Sequence, residues 1–289
     1  MINLRLALLL LLFPVYLFAQ NSTKAGYVIY NTATKGKVQL ADVLQAMDTA
    51  DIVFFGELHD DSLGHAAELD LLKALAAKYP GKLALSMEMF ETDVQPVLNE
   101  YLNDFIREKN MITDTRAWPR YKTDYRPMVE LAKSNGIPVI AANAPARYTN
   151  MVTTGTFERL KVLNKAALNH LPPLPIDTAT GPYYEKFVAE MGGHSAMGGM
   201  HIYQSQSLWD ATMAWSIARF YKKHKDYKIM QVNGGFHSEE KMGIVAQLKN
   251  YAPKAKVVTI NAYSGKNLDN PDWKELEKKG DYVILTASK

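Results

Sequence analysis

The chain has 289 residues, of which 47% are hydrophobic and 22% are charged, an ordinary balance for a soluble globular protein with one large domain or one domain with an insertion. Its net charge of +3 comes from basic residues that are spread along the chain, which argues against nucleic acid as a partner. There is no cysteine, so we expect no lipid anchor, no disulfide and no thiolate metal ligand.

Residues 1–20 are predicted to be a secretory signal peptide. Arg5 precedes an apolar run that is broken at Pro14, and Ala19 and Gln20 lead into a polar stretch. The run is short for a membrane span, which needs about 20 apolar residues, and its order of charged, apolar and small residues is typical of a signal. We expect an exported protein, periplasmic or extracellular and not lipid-anchored, with an uncleaved membrane anchor as the alternative.

Short apolar runs alternate with amphipathic helical segments along residues 21–289. The runs are predicted to be strands at 51–56, 82–90, 137–142, 228–233, 256–261 and 281–285. A hairpin is predicted before them at 27–40, with its turn near Lys35 and Gly36. This pattern predicts an α/β fold with a largely parallel central sheet flanked by helices.

Residues 145 to about 202 carry no convincing strand pattern. They contain "LPPLP", "GPYY" and the methionine- and glycine-rich "MGGHSAMGGMH", and we predict that they form a small helical subdomain inserted in the α/β domain. The segment is longer than an ordinary connection, so we expect it to cover or gate a site; a surface excursion without a role is the alternative.

Two Gly-x-x-His elements each follow a predicted strand. Gly56 and His59 lie in "FFGELHDD", and Gly234 and His237 lie in "QVNGGFHSEE". In a parallel sheet the strands point the same way, so their carboxyl ends meet at one edge, where ligands bind. We therefore expect Glu57 and both histidines to face one cleft, although each residue taken alone is equally compatible with a helix cap or a satisfied loop histidine.

Further polar residues are predicted at the same edge. Glu88 lies within the apolar strand "SMEMF", where an unpaired carboxylate is costly to bury. Arg147 follows the next strand, in "AANAPAR", and the apolar helix around 204–224 carries Gln206 and Asp210 one turn apart. We expect Glu88 to have a partner at this edge, and Gln206 and Asp210 to buttress its loops.

Five motifs in order carry a resemblance to a known family. "GELHDD", "SMEMFETDVQPVLNEYL", "YRPMVELAKSNGIPVIAANAPARY", "QSQSLWDATMA" and "NGGFH" resemble the ChaN-type haem-binding uptake proteins of the Tiki and erythromycin-esterase superfamily, over about residues 48–260. The resemblance implies an α/β domain with a small helical subdomain, export across the inner membrane and a role in haem or iron acquisition.

In the ChaN-type branch the resemblance implies haem held between two protomers. It implies a tyrosine oxygen on the iron and a histidine near a propionate, and phenolate is a hard donor suited to ferric iron. Tyr121 is the first candidate ligand and Tyr125 the second, both in the cationic segment "WPRYKTDYRP"; an aromatic anchor that packs a loop is the alternative. His194 and His201 are candidates for the propionate contact.

In the hydrolytic branch the resemblance implies a metal-dependent enzyme. His59 and His237, with Glu88, would bind a divalent metal, Glu57 or Glu88 would act as general base, and Arg147 would stabilise an oxyanion. We place exported haem binding first, with homodimerisation on haem and uptake machinery at the outer membrane as the expected partners, and metal-dependent hydrolysis second.

Overall fold

The computed structural model describes residues 26–178, 180–193 and 200–287. The predicted signal peptide and the candidate ligand His194 lie outside these residues. Within them, no helix is both long and apolar enough to cross a membrane.

One mixed sheet of eight strands runs through the described structure. The strands are β1 (Tyr27–Asn31), β2 (Gly36–Val38), β3 (Ile52–Glu57), β4 (Leu83–Glu91), β5 (Val139–Asn143), β6 (Lys228–Gly234), β7 (Val257–Gly265) and β8 (Tyr282–Ala287). Their order is β2-β1-β8-β7-β3-β6-β4-β5. Every pair from β8 to β5 is parallel, and only the hairpin β1-β2 and its junction with β8 are antiparallel. The predicted strands and fold class are confirmed, with strand ends shifted by at most four residues.

Eleven helices are seen in the described part of the chain. They are α1 (Leu40–Ala46), α2 (Ser62–Lys78), α3 (Gln95–Leu102), α4 (Glu108–Asp114), α5 (Arg126–Ser134), α6 (Ala146–Gly155), α7 (Lys165–Leu168), α8 (Pro182–Glu190), α9 (Met200–Lys223), α10 (Gly243–Tyr251) and α11 (Trp273–Leu276). A π-helical turn, Tyr121–Tyr125, leads into α5. Between β5 and β6 the described chain is helical, as expected of the insertion; its limits stay a prediction.

The two faces of the sheet bury different helices. Helices α1 to α5 pack on one face, where Leu71, Leu98 and Met128 join a core with Val53 and Val232. Helices α9 and α10 pack on the other face, where Met213 and Ile244 contact Phe54 and Ile229. Because both faces are covered, the central strands are almost wholly buried, which explains their continuous apolar runs.

The central strands β3 and β6 form a topological switch point. From β3 the chain proceeds through α2 to β4 on one side, whereas from β6 it proceeds through α10 to β7 on the other side. Right-handed crossovers in opposite directions place their helices on opposite faces. A crevice therefore opens beyond the carboxyl ends of β3 and β6, the usual place for a ligand in an open α/β sheet.

Gly56 allows the strands to approach one another at this crevice. A Cβ at this position would lie 1.9 Å from Asn261 Oδ1 and 2.9 Å from both Gly235 Cα and Ser238 Oγ. Asn261 belongs to strand β7, and Gly235 and Ser238 belong to the turns after β6, so a side chain at residue 56 would push apart the segments that carry the candidate site.

We predict that Gly56→Ala lowers the free energy of unfolding by about 1–3 kcal/mol, the usual cost of overpacking a tight interior site. Gly265→Ala, in β7, is the matched control because a Cβ there meets nothing within 4 Å, so its effect should stay within about 0.5 kcal/mol. Denaturant unfolding measures both values. Equal stability of the two variants would contradict the proposed crowding at Gly56.

Candidate functional site

The carboxylate of Glu57 is the buried centre of the crevice. Glu57 ends β3, is 2% exposed, and accepts hydrogen bonds at Oε1 from His59 Nδ1 (2.6 Å) and from the hydroxyl of Tyr125 (2.7 Å). Its Oε2 lies 3.5 Å from His65 Nδ1. A carboxylate so far from water is stable only with such donors, so Glu57 fixes the positions of the groups around it.

His59 presents its other ring nitrogen to the crevice. Its side chain is 48% exposed, and its ring packs edge-on against Trp118, with 5.2 Å between the ring centroids. A Cβ at Gly234 would lie 2.8 Å from His59 Nε2, so glycine at the end of β6 leaves room for the ring. With Nδ1 bound to Glu57, the Nε2 of His59 is the atom available to a ligand or a proton.

His237 is held by a second, separate carboxylate. Its Nδ1 lies 2.6 Å from Asp210 Oδ1 on α9 and 3.1 Å from Gln206 Nε2. Tyr183 on α8 donates its hydroxyl to Asp210 Oδ2 (2.6 Å) and accepts from Gln206 Nε2 (3.1 Å). The expectation that Gln206 and Asp210 buttress the loops at this edge is confirmed, and Tyr183 adds a third member from the insertion.

Glu88 lies between the two histidines. Its Oε2 accepts the backbone N–H of Gly234 (2.7 Å), and its Oε1 is 3.6 Å from His237 Nε2. The β4-β5 register shifts between Met87 and Glu91, and such bulges re-aim side chains. The structure thus brings together Glu57, His59, Glu88 and His237, as the strand ends predict.

The neighbouring carboxylates raise the pKa of both imidazoles. The hydrogen bond with Glu57 raises the pKa of His59. Burial lowers this pKa, and the charge of Glu88 raises it further. Burial lowers the pKa of His237, but Glu88 and Asp210 outweigh it and raise that pKa to about 9. At neutral pH the His237 ring is therefore predominantly cationic, and the raised pKa of His59 favours its cationic form, so both rings suit an anionic group such as a carboxylate.

A second layer of polar groups beneath His59 was not predicted as a site from the sequence. His65 and Glu68, in the first two turns of α2, are both buried, and His65 Nδ1 lies 3.2 Å from Glu68 Oε2. His65 Nε2 lies 3.3 Å from the carbonyl of His59 and 3.6 Å from Asp124 Oδ2. The sequence signal for this layer is the His-x-x-Glu spacing of His65 and Glu68 within an apolar helix. In the sequence alone, that pattern is typical of core packing.

The candidate tyrosines are both buried. Tyr121 is 2% exposed, its ring packs edge-on against Phe90, and its hydroxyl has no hydrogen-bond partner among the described residues. Tyr125 is 1% exposed; its hydroxyl donates to Glu57, and its ring packs against those of Trp118 and His65. Burial raises the pKa of both phenols. Neither phenol is exposed in this conformation, and iron ligation by either stays a prediction.

Other candidate residues lie away from the two histidines. The Arg147 guanidinium pairs with Asp93 and donates to the hydroxyl of Tyr148, so it does not contact Glu57, Glu88 or either histidine. His201 is half-buried in the first turn of α9. The cations near the tyrosines are also engaged, since Arg120 pairs with Asp124 and Arg126 with Glu108.

The predicted metal ligands His59, Glu88 and His237 are less closely grouped than three other side chains. Among the described residues, the side chains whose donor atoms all lie within 4.8 Å of one another are Glu57, His65 and Glu68. His59, Glu88 and His237 are not such a group, and metal binding by those three stays a prediction.

Comparisons with known proteins identify relatives of this chain. The profile of the family described as "Haem-binding uptake, Tiki superfamily, ChaN" matches residues 43–248. A search of the curated proteins finds no match. Among solved structures, ChaN of Campylobacter jejuni, described with cofacial haem binding, is 17% identical, with a TM-score of 0.68 over 91% of this chain and 97% of that chain. At this identity the likeness is one of fold.

Two further structures are more distant. A mutant of the erythromycin esterase EreC in its open conformation is 11% identical, with a TM-score of 0.48 over 90% of this chain and 83% of that one. A protein from Bacillus cereus is 13% identical, with a TM-score of 0.46 over 86% of this chain and 92% of that one.

We predict that Tyr183→Phe lowers the free energy of unfolding by about 1–3 kcal/mol, because the buried carboxylate of Asp210 loses a hydrogen-bond donor. Tyr227→Phe is the control: it removes the same hydroxyl from a half-buried ring, and it should change stability by less than about 0.5 kcal/mol. Thermal unfolding at pH 7 compares them. If Tyr183→Phe is as stable as the control, Asp210 does not depend on this bond.

Proposed function

Because the chain belongs to the ChaN family of haem-binding uptake proteins in the Tiki superfamily, we propose that it is an exported protein that binds haem and takes part in haem or iron uptake. The family match carries this proposal, since the matched residues 43–248 include Glu57, His59, Glu88 and His237. Transfer of haem to or from uptake machinery at the outer membrane is part of the same proposal.

The chemistry of the crevice suits haem. Trp118 offers an aromatic surface beside the accessible Nε2 of His59, and ring faces of this kind pack on a flat macrocycle. The cationic ring of His237 and the imidazole of His59, whose pKa is raised, suit the propionates. His201 is a further candidate for a propionate contact from the start of α9.

A second copy of the chain would complete such a site. One cavity of about 390 Å³ is lined by Glu240, Lys274, Glu275, Lys278 and Lys279, and another of about 260 Å³ lies beside Tyr183 and Asp210. Neither is lined by His59 or Trp118. Ligand sites bury most of the ligand surface, and the side chain of His59 is 48% exposed, so a second protomer is the proposed cover of a haem bound beside it.

A tyrosine oxygen is the proposed iron ligand, and the contacts favour Tyr125 over Tyr121. Tyr125 contacts Trp118 and Glu57 at the crevice, whereas Tyr121 packs against Phe90 in the core. To bind iron, the hydroxyl of Tyr125 must leave Glu57 and lose its proton. Burial and Glu57 raise the pKa of this hydroxyl and oppose the loss of the proton. The π-helical turn 121–125 is the element that would move, and such turns are frequent at functional sites.

We predict that the chain from residue 21 binds ferric haem saturably, with the charge-transfer absorbance of oxygen-ligated iron, and that its mass changes from monomer to dimer on binding. Tyr125→Phe should weaken binding about tenfold or more, which is at least the loss of one charge-assisted contact of about 1.5 kcal/mol, and should change the spectrum. Tyr121→Phe is the matched control: it removes a phenol hydroxyl from the core and should leave the haem affinity and the spectrum unchanged.

Three outcomes would contradict parts of this proposal. Unsaturable binding with a featureless spectrum would contradict haem binding itself. Unchanged spectra for both tyrosine variants would contradict ligation by either phenol. A change confined to Tyr121→Phe would return that residue to first place and would mean that the core around Phe90 opens on binding.

Metal-dependent hydrolysis is the second candidate, and one observation favours it. His59 and His237 each bind a carboxylate through Nδ1, and both lie close to Glu88. A carboxylate that orients a histidine is a common arrangement around metal-binding histidines, and Glu57 or Glu88 would be the general base that activates a water for attack on a carbonyl. A divalent metal held by His59, Glu88 and His237 would supply Lewis-acid polarisation.

If the crevice is hydrolytic, His59→Ala and His237→Ala should each reduce a metal-stimulated esterase or amidase activity by about 100-fold or more, because each removes a metal ligand and even the loss of a ligand's supporting partner costs about 10- to 100-fold. Arg147→Ala should leave this activity unchanged, because the guanidinium contacts Asp93 instead of the crevice. A panel of ester and amide substrates assayed with and without Mn²⁺ measures this. Activity that survives in both histidine variants would contradict hydrolysis at these residues.

A further inference from the structure

The buried groups beneath His59 form a compact cluster that the haem proposal does not use. We name Glu57, His65 and Glu68 the inner cluster; the three are 2%, 6% and 0% exposed. Glu57 comes from the end of β3, and the other two come from the first two turns of α2, at positions i and i+3. This helical spacing places both side chains on one face, as in the Glu-x-x-His pairs of carboxylate metal proteins.

The distances within the inner cluster match those of metal ligands. His65 Nδ1 lies 3.5 Å from Glu57 Oε2 and 3.2 Å from Glu68 Oε2. An ion in tetrahedral coordination, about 2.1 Å from each ligand, holds its ligands about 3.4 Å apart. Both distances from His65 are therefore close to that spacing, and the donor atoms of all three side chains lie within 4.8 Å of one another.

The contacts around the inner cluster orient its donor atoms inward. The 3.3 Å contact of His65 Nε2 with the His59 carbonyl gives the Nε2 hydrogen an acceptor, so Nδ1, which hydrogen-bonds the carboxylates in the absence of an ion, would be the nitrogen that gives up its proton to a metal. Glu57 Oε1 is occupied by His59 and Tyr125, which leaves Oε2 facing His65. Such outer contacts fix the tautomer and orientation of metal-binding histidines.

Two carboxylate oxygens in this cluster have no hydrogen-bond partner among the described residues. They are Glu57 Oε2 and Glu68 Oε1, both shielded from water. Buried polar atoms are nearly always paired, and two adjacent buried carboxylates repel each other. Burial and the charge of Glu57 raise the pKa of Glu68, so without an ion the two carboxyl groups share a proton; one divalent cation in its place would cancel both negative charges.

We propose that Glu57, His65 and Glu68 bind one divalent first-row transition-metal ion. Two carboxylates and one imidazole suit Zn²⁺ and its neighbours in this row, whereas Mg²⁺ and Ca²⁺ favour oxygen ligands alone. The ion would fix Glu57, and through Glu57 the ring of His59 at the crevice. This site is distinct from the one predicted at His59, Glu88 and His237, and it stands independently of haem binding.

The test uses the protein from residue 21 produced in zinc-supplemented medium, with metal content measured by elemental analysis and Zn²⁺ affinity by titration of the stripped protein. We expect one zinc per wild-type chain. Glu68→Gln keeps the shape of the side chain and removes its charge, and should weaken zinc binding by at least the 10- to 100-fold that follows loss of a supporting contact. Glu88→Gln alters the crevice and leaves the inner cluster intact, so this variant should bind zinc as tightly as the wild type.

Two results would overturn the proposal. One is wild-type protein without stoichiometric zinc, which would mean that the inner cluster shares a proton instead. The other is zinc lost in Glu88→Gln and retained in Glu68→Gln, which would move the ion to the crevice. If Glu68→Gln does not fold, Co²⁺ loaded into the wild-type chain decides, because a tetrahedral oxygen and nitrogen site absorbs strongly in the visible range and the hexahydrated ion does not.

Discussion

The buried carboxylate of Glu57 is the constraint on which the rest of the site depends. It lies at the end of a central strand, where it cannot reach bulk water, and four donors or charges surround it: His59, Tyr125, His65 and Glu68. Burial raises the pKa of Glu57, but the hydrogen bonds with His59 and His65 outweigh it and lower the pKa to about 2. Since Glu57 stays ionised, each neighbouring group is held in one orientation.

The topology of the sheet explains why one buried carboxylate can organise residues that are far apart in sequence. Strands β3, β6 and β4 are neighbours, so their carboxyl ends place Glu57, Gly234 and Glu88 side by side. Helix α9 then crosses from the insertion and brings Asp210 to His237. The crevice has two histidine and carboxylate pairs, one on each side of Glu88, and the insertion supports only the second pair.

Much of this arrangement could be predicted from the sequence, and the failures have physical reasons. Apolar runs indicate strands, and parallel strands bring their ends together, so His59, Glu88 and His237 were predicted at one edge. His65 and Glu68 escaped notice because a histidine in an apolar helical stripe is typical of a core. Tyr121 was the first candidate ligand because its neighbours are cationic. The π-helical turn instead directs both phenols inward while Arg120 and Lys122 remain outside.

The central claim is that haem lies at the crevice beside His59 and Trp118, between two copies of the chain. A crystal structure of the protein saturated with ferric haem tests it most directly. The account predicts iron density beyond the ends of β3 and β6, a macrocycle packed on Trp118, and a second protomer closing the other side. Haem bound elsewhere, such as in the cavity beside Tyr183 or on the lysine-rich surface near Lys274, would contradict it.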